Sequence, residues 1–181
     1  GVTTIELGVQ SMDDNVLKSS NRGHTRMNVI NAVRLIKKYP FSIGLQMMTG
    51  LPGDTEQKSL YTADEIIALK PDFVRIYPTL TIKDTFLEKM YYEKKYKPQT
   101  LEDAVSLAKQ LMLKFEESDI NVIRVGLQST GEICESGSVV AGPVHSAVRE
   151  LVESSIYYDL ICRELPLDGC TSAEVFVNPA E

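Results

Sequence analysis

Three cysteines, two histidines and one glycine–proline turn carry most of the chemistry that this 181-residue chain could offer. Cys134, Cys162 and Cys170 are odd in number, widely spaced and without a Cys-x-x-Cys pair. Neither a disulfide framework nor a zinc or iron–sulfur site built from this chain alone is expected of them. His24, in "RGHT", and His145, at the start of a helical pattern, read as capping or packing residues. With no cysteine beside either, they do not make a zinc site. Ser11, Ser129 and Ser138 lack the strand–turn–helix context of a hydrolase nucleophile. Residues 49–55, "TGLPGDT", end an apolar run and open a helix, so their backbone N–H groups could receive an anion or carboxylate. The Walker lysine and the dinucleotide glycine spacing are both missing. Tight-turn geometry and ligand contact both remain open for this stretch.

Polar side chains at strand ends offer a second kind of chemistry. Gln10 closes "ELGVQS", where an amide can bond a ribose or satisfy neighbouring backbone. Glu6 falls on the same face as Gly8 and Gln10, because side chains alternate along a strand. An inward carboxylate needs a cationic partner, and Arg22 and Arg75 are the candidates. Lys94, Lys95 and Lys97, in "MYYEKKYKP", form the main basic run. With Tyr91, Tyr92 and Tyr96 around it, the run reads either as a solvated helix end or as a polyanion site with stacking rings.

The elements that must position these residues follow from period and punctuation. Strands are expected over Thr3–Gln10, Ile43–Thr49, Phe73–Tyr77 and Asn121–Leu127, with a last short one over Ala173–Val177. A short helix is expected from about Asp13, and a longer one from Arg26 to Lys38, where Val29, Ile30, Val33 and Ile36 recur at helical spacing before Pro40. A third starts near Glu56, capped by Asp54 or Thr55. A strong amphipathic helix follows Thr100, and a long one runs from about His145 to Glu164. Thr79 to Gln99 is longer than an ordinary loop and is read as part helix, part functional loop.

This β-α-β-α-β-α-β alternation is an α/β chain with parallel strands and long crossovers. Parallel sheets are covered on both faces or closed into a barrel. The strand carboxyl ends would gather Gln10, Ser11, Thr49, Tyr77 and Gln128 on one ligand face. The division expected is a first unit over residues 1–130 and a helical C-terminal extension over 131–181.

Composition excludes some classes. With 43% hydrophobic and 24% charged residues, the chain is globular rather than disordered. Its formal net charge of -6 gives no general electrostatic reason for nucleic-acid binding, although a local patch is compatible with it. No apolar run approaches a membrane span and no signal peptide is visible, so a cytoplasmic, non-membrane protein is expected.

Taken in order, "ELGVQSMDDNVLKSSNRGHT", "IGLQMMTGLPGDT", "VRIYPTLTIKDTFLEKMY", "YKPQTLEDAV" and "VIRVGLQST" resemble the second half of a radical S-adenosylmethionine enzyme barrel. The likeness is to the Elongator catalytic-subunit branch and to proteins named oxygen-independent coproporphyrinogen III oxidase-like. It covers about Gly1 to Ser129, and "VAGPVHSAVRELVESSIYYD" looks like the C-terminal segment of short members without an acetyltransferase domain.

The resemblance implies a partial TIM-like (β/α)6 barrel, of which this chain is the C-terminal half, with parallel strands and outer helices. It implies S-adenosylmethionine and a [4Fe-4S] cluster held by three cysteines, and radical hydrogen abstraction from substrate. Cofactor contacts carry over to Gln10, to Arg22 for the cofactor carboxylate, to Gln46 where the oxidases have a ribose-binding aspartate, and to Thr79. No three-cysteine loop is present, so the cluster loop is expected upstream of Gly1. The chain alone is then a truncated piece with no stably bound cofactor and no turnover. The expected activity of the longer protein is radical chemistry of the coproporphyrinogen III oxidase-like, oxidoreductase type, with a tetrapyrrole or tRNA as the substrates the resemblance offers. The alternatives are Elongator-like modification of the wobble uridine in tRNA, and a non-catalytic α/β binding module. An uncovered sheet edge would favour a homodimer.

Overall fold

The computed structural model describes residues 1–127 and 138–165, together with 172, 174 and 176. Gln128, Ser129, Cys134, Cys170 and most of the expected strand over Ala173–Val177 lie outside the described residues. The elements are β1 (Thr4–Gln10), α1 (Asp14–Ser19), α2 (Arg26–Ile36), β2 (Ser42–Thr49), α3 (Glu56–Ala68), β3 (Phe73–Pro78), β4 (Thr81–Ile82), α4 (Phe86–Tyr92), α5 (Leu101–Glu116), β5 (Asn121–Val125), β6 (Val139–Ala141) and α6 (Val148–Glu164).

Capping chemistry starts each of the first five helices. Asp13 accepts from the N–H groups of Asn15 and Val16 at α1, and Thr25 forms a capping box with Asn28 at α2. Of the two candidates at α3, Thr55 is the cap, through Lys58 N–H. Thr85 and Thr100 cap α4 and α5. Thus the expected part-helical stretch 79–99 contains α4. The last helix begins at Val148 rather than His145, because residues 143–145 run without regular structure into a turn.

The four long strands pair in parallel in the order β1-β2-β3-β5. One sheet face presents Val9, Ile43, Leu45, Met47, Val74, Ile76, Val122 and Val125 to the helices. Val29 and Val33 of α2, Ala63 and Ile66 of α3, and Leu111 and Phe115 of α5 complete that core. Burying side chains the size of Leu111 or Phe115 contributes about 1.5–3 kcal/mol each. The loss of side-chain and backbone freedom opposes this gain. α6 closes the layer, where Lys109 of α5 bonds the carbonyl and hydroxyl of Ser155, both at 3.1 Å, and pairs with Asp159.

The other face is not packed in this way. Glu6, Gly8, Gln10, Gln46, Met48, Phe73, Arg75 and Tyr77 occupy it and stay partly or largely exposed. A parallel sheet with helices on one side and a polar, open opposite side is a segment of a barrel wall seen from its interior. The sequence did not foreshadow a short antiparallel ribbon, β4 with β6, that pairs Thr81 with Ala141 beyond the end of β3. Among the described residues, no helix is long and apolar enough to cross a membrane.

Candidate cofactor-binding face

β1 ends in a strained turn. Gln10 adopts φ 64, in the left-handed region that costs an ordinary residue on the order of 1 kcal/mol. The N–H of Ser11 bonds the carbonyl of Val9 at 2.8 Å, which closes a three-residue turn around Gln10. His24 Nε2 reaches the same carbonyl at 3.0 Å and holds the turn from the α1–α2 loop. The ladder to β2 shifts register between Gly8 and Gln10.

The result is that the Gln10 side chain folds back over Gly8. A Cβ on Gly8 would stand 2.6 Å from Gln10 Nε2, so a larger residue there would displace the amide. Gly8 is the register partner of Gln46, and Gln46 that of Arg75. The structure therefore brings Gln10 and Gln46 together on the open face. Glu6 takes Arg75 as its partner, with Nε donating to Oε1 at 2.5 Å, and Arg22 is not involved. The hydrogen bond to Glu6 holds the Arg75 pKa above its ordinary value, against desolvation, with Tyr77 adding a smaller contribution.

Arg22 approaches the same face one pleat further along β2, where its guanidinium stands 3.3 Å from the sulfur of Met48. A thioether is a weak acceptor, so the other guanidinium donors stay available. Thr79 sits deeper. It is buried, and its hydroxyl donates to the Thr49 carbonyl at 2.7 Å. Arg22, Met48 and Thr79 line a cavity of about 320 Å3 that runs on past Leu80 and Ile82 to α4.

Ser11 and Thr49 do not join this face as expected. Ser11 Oγ lies 3.3 Å from Thr62 Oγ1 of α3, and Thr49 donates to Gln99 Oε1 at 3.0 Å; both are buried. Alternation is the reason: Thr49 follows Leu45 and Met47 on the helix-covered side. The "TGLPGDT" turn is tied internally rather than open. Asp54 accepts from Gly50 N–H at 3.0 Å, Thr55 N–H at 2.9 Å and Ser59 Oγ at 2.8 Å. Burial raises its pKa despite these bonds. Tyr96 donates to the Gly50 carbonyl at 2.7 Å, and burial, aided by the Asp54 charge, pushes its phenol up to about 12. Tyr96 and Asp54 were missed as a clasp, because only their meeting across 42 residues reveals it.

The uncovered row presents two amides and, one pleat on, a guanidinium, groups whose hydrogen-bonding chemistry suits hydroxyls and a carboxylate. The cluster is a different matter. Among the described residues no group of three His, Cys, Asp or Glu side chains could hold a metal ion, and Cys162 lies exposed on α6.

Comparison with known proteins bears on the family and the fold. The radical SAM superfamily model matches residues 1–66 and the radical SAM C-terminal domain model residues 71–158. A tRNA uridine(34) acetyltransferase of Methanocaldococcus jannaschii is 36% identical over 121 residues, covering 64% of this chain and 22% of that protein. Elongator complex protein 3 of Homo sapiens is 32% identical over 115 residues, covering 62% and 21%. The solved structure of archaeal Methanocaldococcus infernus Elp3 with its N-terminus (1-46) deleted superposes with TM-score 0.74 at 27% identity, covering 88% of this chain and 37% of that one. The chain thus spans about a fifth of the length of these curated relatives. These relatives overturn the coproporphyrinogen III oxidase-like reading and its oxidoreductase class: they are named tRNA uridine(34) acetyltransferase and Elongator complex protein 3.

Proposed function

Because the chain belongs to the radical SAM superfamily, we propose that it forms one wall of the cofactor chamber in an enzyme that modifies the wobble uridine of tRNA. The observation that carries this reading is the pair of amides, Gln10 folded over Gly8 and Gln46 beside it, on a sheet face free of helices. The names of the relatives support the choice of tRNA as substrate. When bound, S-adenosylmethionine and a [4Fe-4S] cluster would supply a radical able to abstract hydrogen.

The residues of this chain would bind and orient. Gln10 and Gln46 each offer a donor and an acceptor to ribose hydroxyls. Arg22 offers its planar fork to a carboxylate. Thr79 holds the start of the β3–β4 connection to the end of β2, so the cavity wall keeps its shape. Met48, Leu80 and Ile82 give the cavity beside Arg22 an apolar wall.

The test is genetic and chemical. Cells lacking the gene should lose a modification at tRNA position 34, read by mass spectrometry of digested tRNA, and the wild-type gene should restore it. The Gln46→Ala gene should restore it poorly at equal protein level. An unchanged modification profile in the deletion strain would refute the reading.

A further inference from the structure

The lysine and tyrosine run that the cofactor face leaves unused acquires a shape in the structure. Residues 83–97 hold five lysines against Asp84, Glu88 and Glu93, in a chain whose formal net charge is -6. Glu93 is engaged by Lys95 at 2.7 Å and Lys89 at 3.9 Å, and Lys95 draws its pKa down. Among the described residues, no carboxylate bridges Lys83, Lys94 or Lys97. The segment is therefore a local cationic surface on an acidic protein.

Aromatic rings stand in the same segment. Phe86, the first residue of α4, is 66% exposed, and Tyr92 at its other end is 67% exposed. A phenylalanine left in water is costly unless something covers it. Phe86, Leu87 and Met90 of α4 line the 320 Å3 cavity together with Ser19–Arg22. Its lining is mostly apolar, and the lysines lie on the same segment, to either side of α4. Tyr96, by contrast, is buried in the turn clasp and unavailable for stacking.

We propose that α4 and its flanks dock single-stranded RNA, with one unpaired base inserted in the cavity and stacked on Phe86, and the backbone phosphates on Lys83, Lys94 and Lys97. Charge complementarity selects this occupant: an apolar peptide would fill the cavity but leave the lysines unused, whereas a polyanion with π-faces uses both. Duplex is disfavoured because its bases have no free face to stack. This inference rests on the tRNA reading above and extends it to α4, whose residues share the cavity with Arg22, Met48 and Thr79.

The experiment measures binding of the chain, by fluorescence anisotropy across a salt series, to an anticodon stem-loop RNA and to a fully paired hairpin of equal length. The stem-loop should bind more tightly than the hairpin. Phe86→Ala should weaken the stem-loop about tenfold, the size of one base–aromatic stack, without changing the salt slope. Phe86→Tyr should bind as the wild type does. Lys83→Glu with Lys94→Glu and Lys97→Glu should flatten the salt dependence. Lys37→Glu with Lys38→Glu, at the far end of α2, should not. Circular dichroism melts confirm that each variant is folded.

Wild-type affinity in Phe86→Ala, equal binding of the hairpin, or no binding of the stem-loop at low salt would overturn the proposal. The two readings fail separately. If tRNA modification depends on the gene but Phe86→Ala binds normally, only the docking surface falls. If the stem-loop docks through Phe86 but deletion leaves position 34 unchanged, only the proposed function falls.

Discussion

Glu6 on β1 and Arg75 on β3 are joined across an intervening strand, their 2.5 Å contact passing over Gly44 of β2. The crossing exists because position 44 has no side chain. A Cβ there would lie 2.3 Å from the Phe73 ring and 2.6 Å from Glu6 Cγ. The pair and its neighbours Gln46 and Tyr77 make a charged but connected floor to the open face.

Gly44→Ala should therefore destabilise the chain by about 1–3 kcal/mol, the usual cost of overpacking. Glu6→Gln should cost no more than about 1 kcal/mol, since the pair is partly exposed and screened. Urea denaturation of both variants checks the order. A Gly44→Ala midpoint equal to that of Gly23→Ala, where a Cβ meets open space, would contradict the crossing.

His24 holds the left-handed turn at Gln10 through the Val9 carbonyl. His24→Ala should lose about 1 kcal/mol. It should also speed hydrogen exchange at the Ser11 amide, which shares that carbonyl. His24→Gln, whose amide keeps a donor, should recover part of the protection. Unchanged exchange at Ser11 would show that the turn stands without His24.

Burial raises the Asp54 pKa above its ordinary 3.8. The native state then binds this proton more tightly than the unfolded chain does, so the Asp54 contribution to stability falls as pH rises through the window from the unfolded to the folded pKa. Relative to Asp54→Asn, which cannot titrate, the wild type should gain stability as pH is lowered from neutral towards about 4. Paired thermal melts across that range measure it. A difference that is flat, or that grows with pH, sinks the assignment.

Burial should move Tyr96 ionisation up to about 12. Spectrophotometric titration of Tyr96→Phe should lack only that late component. The variant should also be about 1 kcal/mol less stable, through loss of the bond to the Gly50 carbonyl. Loss of a component near pH 10 would mean that Tyr96 is open to water.

Much of the fold was legible along the chain because its causes are local. Val29, Ile30 and Val33 mark the inner face of α2 by spacing alone, and Thr100 is a cap because its hydroxyl serves an amide three residues away. Alternation in β2 separates Leu45 and Met47 from Gln46 and Met48, and the open-face amides follow from it. The same rule, carried to Thr49, would have turned that hydroxyl inward.

The sequence by itself determined the four long strands, the main helices and which strand positions share a face, because neighbours in the chain decide period and capping. Only the tertiary structure decided that β4 pairs with β6, that Glu6 pairs with Arg75 rather than Arg22, that Gln10 folds over Gly8, and that Phe86 and Arg22 line one cavity. Each of these depends on register, on a shifted ladder or on the approach of two distant segments. Such contacts are set by how whole elements pack, so no local pattern encodes them.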